Sequence, residues 1–125
     1  MKKLAVLPVL AILGACAAMS GIAPAQVGGA VPLGQRVTVG ALIATPERVI
    51  EDSRCPENAR CITAGRLIVS TRIAGAGWAE TVPLTLGEPY ALHDTAITLV
   101  TGLPEKRAGT ETAARDYRFW FEGGT

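Results

Sequence analysis

The sequence predicts an all-β protein with a single small domain, an antiparallel β-sandwich or a barrel-like arrangement, over residues 36–125. Short segments alternate apolar and polar residues, turn residues separate them closely, and no stretch has the periodicity of an amphipathic helix. Six or seven strands at this spacing are typical of sandwiches and small barrels. About 90 residues suffice for one hydrophobic core and no more.

The clearest predicted strand follows Gly65, because four residues at every second position fall on one face: Leu67, Val69, Thr71 and Ile73. Gly75-Ala76-Gly77 predicts a turn, and residues 78–86 form the partner strand. Pro83 indicates that this partner lies at an edge or carries a bulge. Upstream, the alternation predicts one strand with a common face for Val37, Val39, Ala41 and Ile43.

Two further strands are predicted near the end of the sequence, over residues 96–101 and 115–122, with a solvent-exposed loop at 103–112 between them. In the last strand Tyr117, Phe119 and Phe121 share the inward face. The pleat then directs Trp120 outward beside Arg118, a pairing enriched at binding surfaces. Alternatively, Trp120 lies in a second, minor core.

The first 16 residues have the pattern of an export signal. Lys2 and Lys3 precede an uncharged apolar run, Leu4 to Leu13, which is too short to span a bilayer. The sequence Leu13-Gly14-Ala15-Cys16 then resembles the lipobox of bacterial lipoproteins. That resemblance implies a signal peptide over 1–15, a lipid on Cys16 and attachment to the membrane of the cell envelope.

Two further expectations concern this region. By the same resemblance, Ala17 after the lipidated cysteine favours the outer membrane, with the domain facing the periplasm. Residues 16–35 are uncharged up to Gln35 and rich in Gly, Pro and Ala, which predicts a flexible tether. The alternative is ordinary secretory cleavage after Ala25, at Ala23-Pro24-Ala25, which would release a soluble protein.

Charge excludes one class of partner. Of the 12 Lys and Arg residues, two lie in the signal, which leaves 10 basic residues against 11 acidic ones. Such a balance provides no strong field to attract nucleic acid. Nine of the ten basic residues are arginine, which suggests either recognition of phosphate or carboxylate groups or a compositional bias of the genome.

The two remaining cysteines, Cys55 and Cys61, are predicted to form a structural disulfide, since exported proteins fold in an oxidising compartment. The alternative is a small thiol or redox enzyme, because Arg54 and Arg60 each precede a cysteine and positive charge favours the thiolate. However, the spacing is not Cys-x-x-Cys, and no predicted helix follows.

Around these cysteines, Asp52-Ser53-Arg54-Cys55-Pro56, a second cysteine six residues after the first, and Ala64-Gly65 resemble a group of small exported bacterial proteins of unknown function. The resemblance extends to a turn over residues 99–104 and a closing Tyr-x-Phe strand. It departs at Thr63, where many of those proteins have tryptophan. The resemblance implies an exported domain and carries no activity.

No catalytic residues, metal or cofactor are predicted. His93 is the only histidine, and as a zinc ligand it would need both cysteines reduced, so we interpret it as a turn residue. The sequence therefore favours a non-catalytic binding or accessory module, whose partner is an envelope protein or a small ligand. The candidate surface comprises Asp52, Arg54, Arg60, Arg118 and Trp120.

Overall fold

The computed structural model describes residues 24–125, and the predicted signal peptide and Cys16 lie outside the described residues. Eight strands and one short 3₁₀ helix, Ala114–Asp116, make up the regular structure of residues 24–125, so the all-β prediction is confirmed. The strands are β1 (Gln26–Val27), β2 (Val37–Val39), β3 (Leu42–Asp52), β4 (Leu67–Gly75), β5 (Trp78–Thr85), β6 (Tyr90–Leu92), β7 (Thr95–Leu103) and β8 (Arg118–Gly123).

The strands form two sheets that do not close into a barrel. The larger sheet has the order β1-β2-β3-β4-β5, and the smaller has the order β6-β7-β8. Neighbouring strands are antiparallel except β1 and β2, which are parallel. The inner faces of both sheets contribute to one apolar core, which includes Leu67, Val69 and Ile73 from one sheet and Leu99, Phe119 and Phe121 from the other.

The strongest strand prediction is confirmed. Leu67, Val69, Thr71 and Ile73 are all buried in β4, and β5 pairs with it as the edge strand that Pro83 indicated. Thr71 is the one polar member of this inner face, and its hydroxyl donates to the carbonyl of Val69 at 3.1 Å. The buried hydroxyl is therefore satisfied locally.

The first predicted strand is wrong in its phase, because a two-residue turn divides it. Val39 pairs with Leu42 across Gly40 and Ala41, and Gly40 has a positive φ of 60°. The turn shifts the alternation, so Leu42 and Ala44 join Val37 and Val39 in the core while Ile43 lies on the opposite face. Tight hairpins favour glycine for this conformation.

The predicted tether, residues 16–35, extends too far towards the domain. Gln26–Val27 pairs with β2, and the Gln26 N–H donates to the carbonyl of Arg36 at 2.9 Å. Val31 is completely buried and exchanges two backbone hydrogen bonds with Phe119, at 2.8 and 2.9 Å. The ordered domain therefore includes residues 26–35, which composition alone assigned to the tether because they lack charge.

Candidate functional site

The segment between β3 and β4, residues 53–66, is a hairpin end closed by the predicted disulfide; we call it the cysteine loop. Strand pairing continues into it, because the Ser53 N–H donates to Arg66 O at 2.8 Å and the Cys55 N–H donates to Ala64 O at 3.0 Å. Cys55 and Cys61 are disulfide-bonded, with 5.8 Å between their Cα atoms. The disulfide prediction is confirmed, and the bond closes the outer part of the loop.

Gly65 is required by a close approach within this loop. Its φ is 66°, and a Cβ atom there would lie 1.7 Å from the carbonyl oxygen of Ser53. Only a residue without a side chain fits both the left-handed backbone and the contact. The Ala64-Gly65 pair noted in the sequence therefore lets the two sides of the loop close on each other.

Asp52 and Arg54 form the anchor of the loop. The Arg54 guanidinium donates to both carboxylate oxygens of Asp52, at 2.8 and 2.9 Å, and also to the carbonyls of Gly102 at 2.7 Å and Pro104 at 3.2 Å. The Tyr117 hydroxyl donates to Asp52 Oδ2 at 2.7 Å. This network joins the cysteine loop to the ends of β7 and β8, and a bidentate pair of this kind also fixes geometry.

The network accounts for two shifted pKa values. Burial alone would raise the pKa of Asp52, but hydrogen bonds from Arg54 and Tyr117 and the charges of Arg54 and Lys106 outweigh it and lower the pKa to about 2. Burial and the bond to the Asp52 carboxylate raise the pKa of Tyr117 to about 12. Both groups are therefore held in their ordinary neutral-pH states, as expected for a structural contact rather than proton transfer.

The prediction that Asp52 and Arg54 present a binding surface is therefore corrected. Their side chains are only 9% and 11% exposed, and each polar end faces the other or the protein interior. Arg54 therefore presents no free donor on the surface, and Asp52 is accessible only from the cavity that it lines. Arg60, by contrast, is exposed in the cysteine loop, and the neighbouring Ile62 is fully exposed.

The segment after β7 supports the cysteine loop from its other side. Glu57 N–H donates to Lys106 O at 2.8 Å, Arg107 pairs with Glu57 at 2.5 Å, and Ala108 N–H donates to the side chain of Asn58 at 2.8 Å. Lys106 also donates to the carbonyl of Asp52. Composition predicted an exposed loop here, and most of it is exposed, but its contacts with residues 52–58 had no signal in the sequence.

The outer face of the small sheet carries Trp120, as the pleat predicted. Trp120 is 45% exposed and lies opposite Thr101, while the adjacent pair on this face joins Leu103, 41% exposed, to Arg118. The Arg118 guanidinium donates to the carbonyls of Arg115 and Tyr117, at 2.9 and 2.7 Å. It is thus directed towards the backbone near the 3₁₀ helix, and Trp120 with Leu103 forms an apolar patch that we call the Trp120 patch.

His93 lies in the two-residue turn between β6 and β7, as predicted. Its ring stacks on Trp78 with 3.9 Å between centroids, and Nε2 lies 3.1 Å from a carboxylate oxygen of Glu80. Within residues 24–125, no group of three His, Cys, Asp or Glu side chains could hold a metal ion. Trp78 ring atoms also lie against Gly75, where a Cβ atom would be within 2.5 Å of the indole.

A cavity of about 500 Å³ lies between the second half of β3 and the segment before β8. Two bulges, at residues 46–48 and 49–51, open β3 at this point. The cavity lining mixes apolar side chains, Leu33 and Ile50, with charges of both signs, and the Asp52–Tyr117 pair lies at its wall. No nucleophile with an activating base is part of it.

These features define a small all-β domain with a disulfide-closed hairpin end on its surface. No family model, curated protein or solved structure matches this chain. Among residues 24–125, no helix is long and apolar enough to cross a membrane.

The disulfide should contribute modestly to stability. Replacing Cys55 and Cys61 together by serine should lower the free energy of unfolding by about 2 kcal/mol, the scale for a loop of this length, and leave the sheet circular dichroism intact. The core and the Asp52–Arg54 network lie outside the disulfide-closed segment. Trypsin should cleave the variant faster at the exposed Arg60 while sparing the buried Arg54. Global unfolding of the variant would show instead that the loop is part of the core.

Proposed function

We propose that the protein is a non-catalytic binding or accessory module of the cell envelope, held at the membrane by a lipid on Cys16. The observation that carries the binding role is the Trp120 patch, in which Trp120 and Leu103 remain exposed on a sheet face. Burying an aromatic anchor of this kind is a common source of binding energy at protein interfaces. The predicted outer-membrane location, facing the periplasm, belongs to the same proposal.

The absence of a catalytic role is part of the proposal and is supported by the chemistry of the shifted groups. The polar side chains of the network are already hydrogen-bonded to one another and to backbone carbonyls; they belong to Asp52, Arg54 and Tyr117. The Cys55–Cys61 bond lies in a hairpin end, whereas reactive thiols typically lie at helix N-termini or in Cys-x-x-Cys motifs. A redox role would require this pair to be readily reduced by glutathione in the folded protein.

Lipid attachment is tested in cells that express the full chain. An inhibitor of lipoprotein signal peptidase should cause the precursor to accumulate, and Cys16→Ser should move the protein from the membrane to the soluble fraction. Unchanged processing in both cases would contradict the anchor and favour cleavage after Ala25.

The Trp120 patch is tested by a photo-crosslinking amino acid in place of Trp120, with the same group in place of Thr81, an exposed residue on the other sheet, as the control. We expect a discrete protein adduct from position 120 and none from position 81. No adduct at 120, or the same adduct at both positions, would contradict a partner surface there. Titration of free thiols in the same purified protein tests the alternative that Cys55 and Cys61 act as a redox pair.

A further inference from the structure

The outer face of the five-stranded sheet gathers arginines that are far apart in sequence. Arg48 lies opposite Ser70, and Arg72 lies between Thr45 and Thr81 on the neighbouring strands. Ser70 and Arg72 alternate with Val69, Thr71 and Ile73, which face the core, so they lie on the outer face; Arg72 is exposed there, whereas Ser70 is only 8% exposed. Arg36 precedes the buried Val37 and borders the same face. The excess of arginine over lysine thus has a spatial pattern that composition could not show.

The positive charge of Arg72 on this face has no acidic partner among the described residues. The one acidic residue in the paired positions of β3, β4 and β5 on this face is Glu51, and its carboxylate is bonded to Arg66 at 3.0 Å. Arg48 lines the 500 Å³ cavity together with Glu47, Glu51 and Glu111. Arg72, by contrast, has no hydrogen bond or ion pair to an acidic side chain within residues 24–125. The uncompensated charge is therefore centred on Arg72.

A shallow cavity of about 350 Å³ lies between Arg36 and Arg72 on this face. Gly34, Ile43, Thr45 and Ala74 complete its lining, so Arg72 borders a small depression that contains no acidic side chain. Guanidinium groups are well suited to phosphate oxygens, which they bind through paired N–H donors. The remaining surface of the face is mostly threonine, serine and small apolar residues, which carry no charge that would repel an anion.

The chain enters the domain beside this face. The Gln26 N–H is bonded to Arg36 O, and Val27, paired with Thr38, is 87% exposed at the sheet edge. Nine residues, 17–25, separate Cys16 from Gln26, and the ten steps between them span at most about 35 Å. A lipid on Cys16 would therefore hold this edge of the domain within about 35 Å of the bilayer.

We propose that the outer face of the five-stranded sheet docks on the anionic phospholipid headgroups of the membrane in which the Cys16 lipid is inserted. This orientation rests on the lipid anchor of the proposed function, whereas the attraction between the face and phosphate groups does not. Because the two sheets lie back to back, the Trp120 patch is then directed away from the bilayer, where a partner can reach it.

The test uses the mature chain from residue 16 with Cys16→Ser, so that no lipid contributes. Its formal charge is −1, because 10 basic residues face 11 acidic ones, so binding to an anionic surface requires local asymmetry. In sedimentation with vesicles of equal parts phosphatidylglycerol and phosphatidylcholine, we expect binding at low salt. Binding should disappear at high salt and with pure phosphatidylcholine.

Substitutions of Arg72 test whether this face of the sheet is the part of the protein that binds the vesicles. Arg72→Gln should lower the vesicle partition coefficient about fivefold and Arg72→Glu about 25-fold, at about 1 kcal/mol for each unit of charge, while Arg72→Lys preserves binding. Arg115→Gln and Arg115→Glu, on an exposed residue of the 3₁₀ helix, are the matched controls and should change little. Equal effects at both positions, or binding that ignores phosphatidylglycerol, would overturn the docking proposal and leave lipid attachment at Cys16 unaffected.

Discussion

Replacing Asp52 by asparagine is expected to lower the free energy of unfolding by about 2 to 3 kcal/mol, as measured by urea denaturation at neutral pH. The substitution keeps the shape of the side chain but removes its charge. Arg54, only 11% exposed, would then remain in its site with a single neutral acceptor in place of a carboxylate. Tyr117 would also lose its charged hydrogen-bond acceptor.

The contact between Asp52 and Arg54 should also make the free energy of unfolding depend on pH. The pKa of Asp52 is lowered from 3.8 to about 2 in the folded protein, so its contribution is present above about pH 4 and is lost as pH falls towards 2. The wild-type chain should therefore lose roughly 1–2 kcal/mol across this interval in excess of the Asp52→Asn variant. Glu51→Gln, which breaks an exposed pair with Arg66, is the control and should change stability little. Parallel acid unfolding of wild type and Asp52→Asn would contradict the role of Asp52.

Gly65→Ala should be the most damaging small substitution in the cysteine loop, with a loss of about 3 kcal/mol or more. The new Cβ would overlap the carbonyl oxygen of Ser53, which is part of the backbone and cannot rotate aside. The two sides of the hairpin end would have to separate. Thermal or urea unfolding, together with faster cleavage at Arg60, reports the change.

Gly77→Ala provides a matched control for this effect. Gly77 also has a positive φ, of 79°, but no atom lies within 4 Å of a Cβ built there. The variant should therefore lose only the conformational part, about 1 to 2 kcal/mol. If the two variants lose the same amount, the close approach at Gly65 contributes nothing beyond its backbone conformation.

Sequence patterning identified the strands well where one face is buried and the other is exposed. The alternation around Val69 and that around Phe119 both predicted the correct inward faces, because a period of two is imposed by the pleat. The alternation was misleading at Gly40-Ala41. The tight turn there contains two residues, so apolar residues before and after it still occur at every second position of the sequence. Sequence patterning also missed Val31, whose burial depends on a backbone bridge to Phe119, 88 residues later.

The candidate site was predictable only in part. The disulfide follows from the export signal and the one remaining pair of cysteines, and the outward position of Trp120 follows from the pleat. The partners of Asp52 do not follow, since Tyr117 and the carbonyl of Gly102 reach Arg54 and Asp52 only after β7 and β8 pack beside β3. Polar residues in a turn motif look exposed in a sequence, and only long-range packing shows that these two are internal.

In the described part of the chain, the edge strands of both sheets are short, contain a proline or are partly covered. Edge strand β1 has two residues and β6 has three, β5 contains Pro83, and residue Val31 covers part of the free side of β8. Exposed edge strands are the sites at which β-rich proteins pair with further copies of themselves to form shared sheets. If the proposed lipid on Cys16 confines the molecules to a membrane surface, they meet far more often than in free solution, and self-association becomes a greater hazard. The edge strands of this fold offer little long, regular backbone with which the edge strand of another copy could pair.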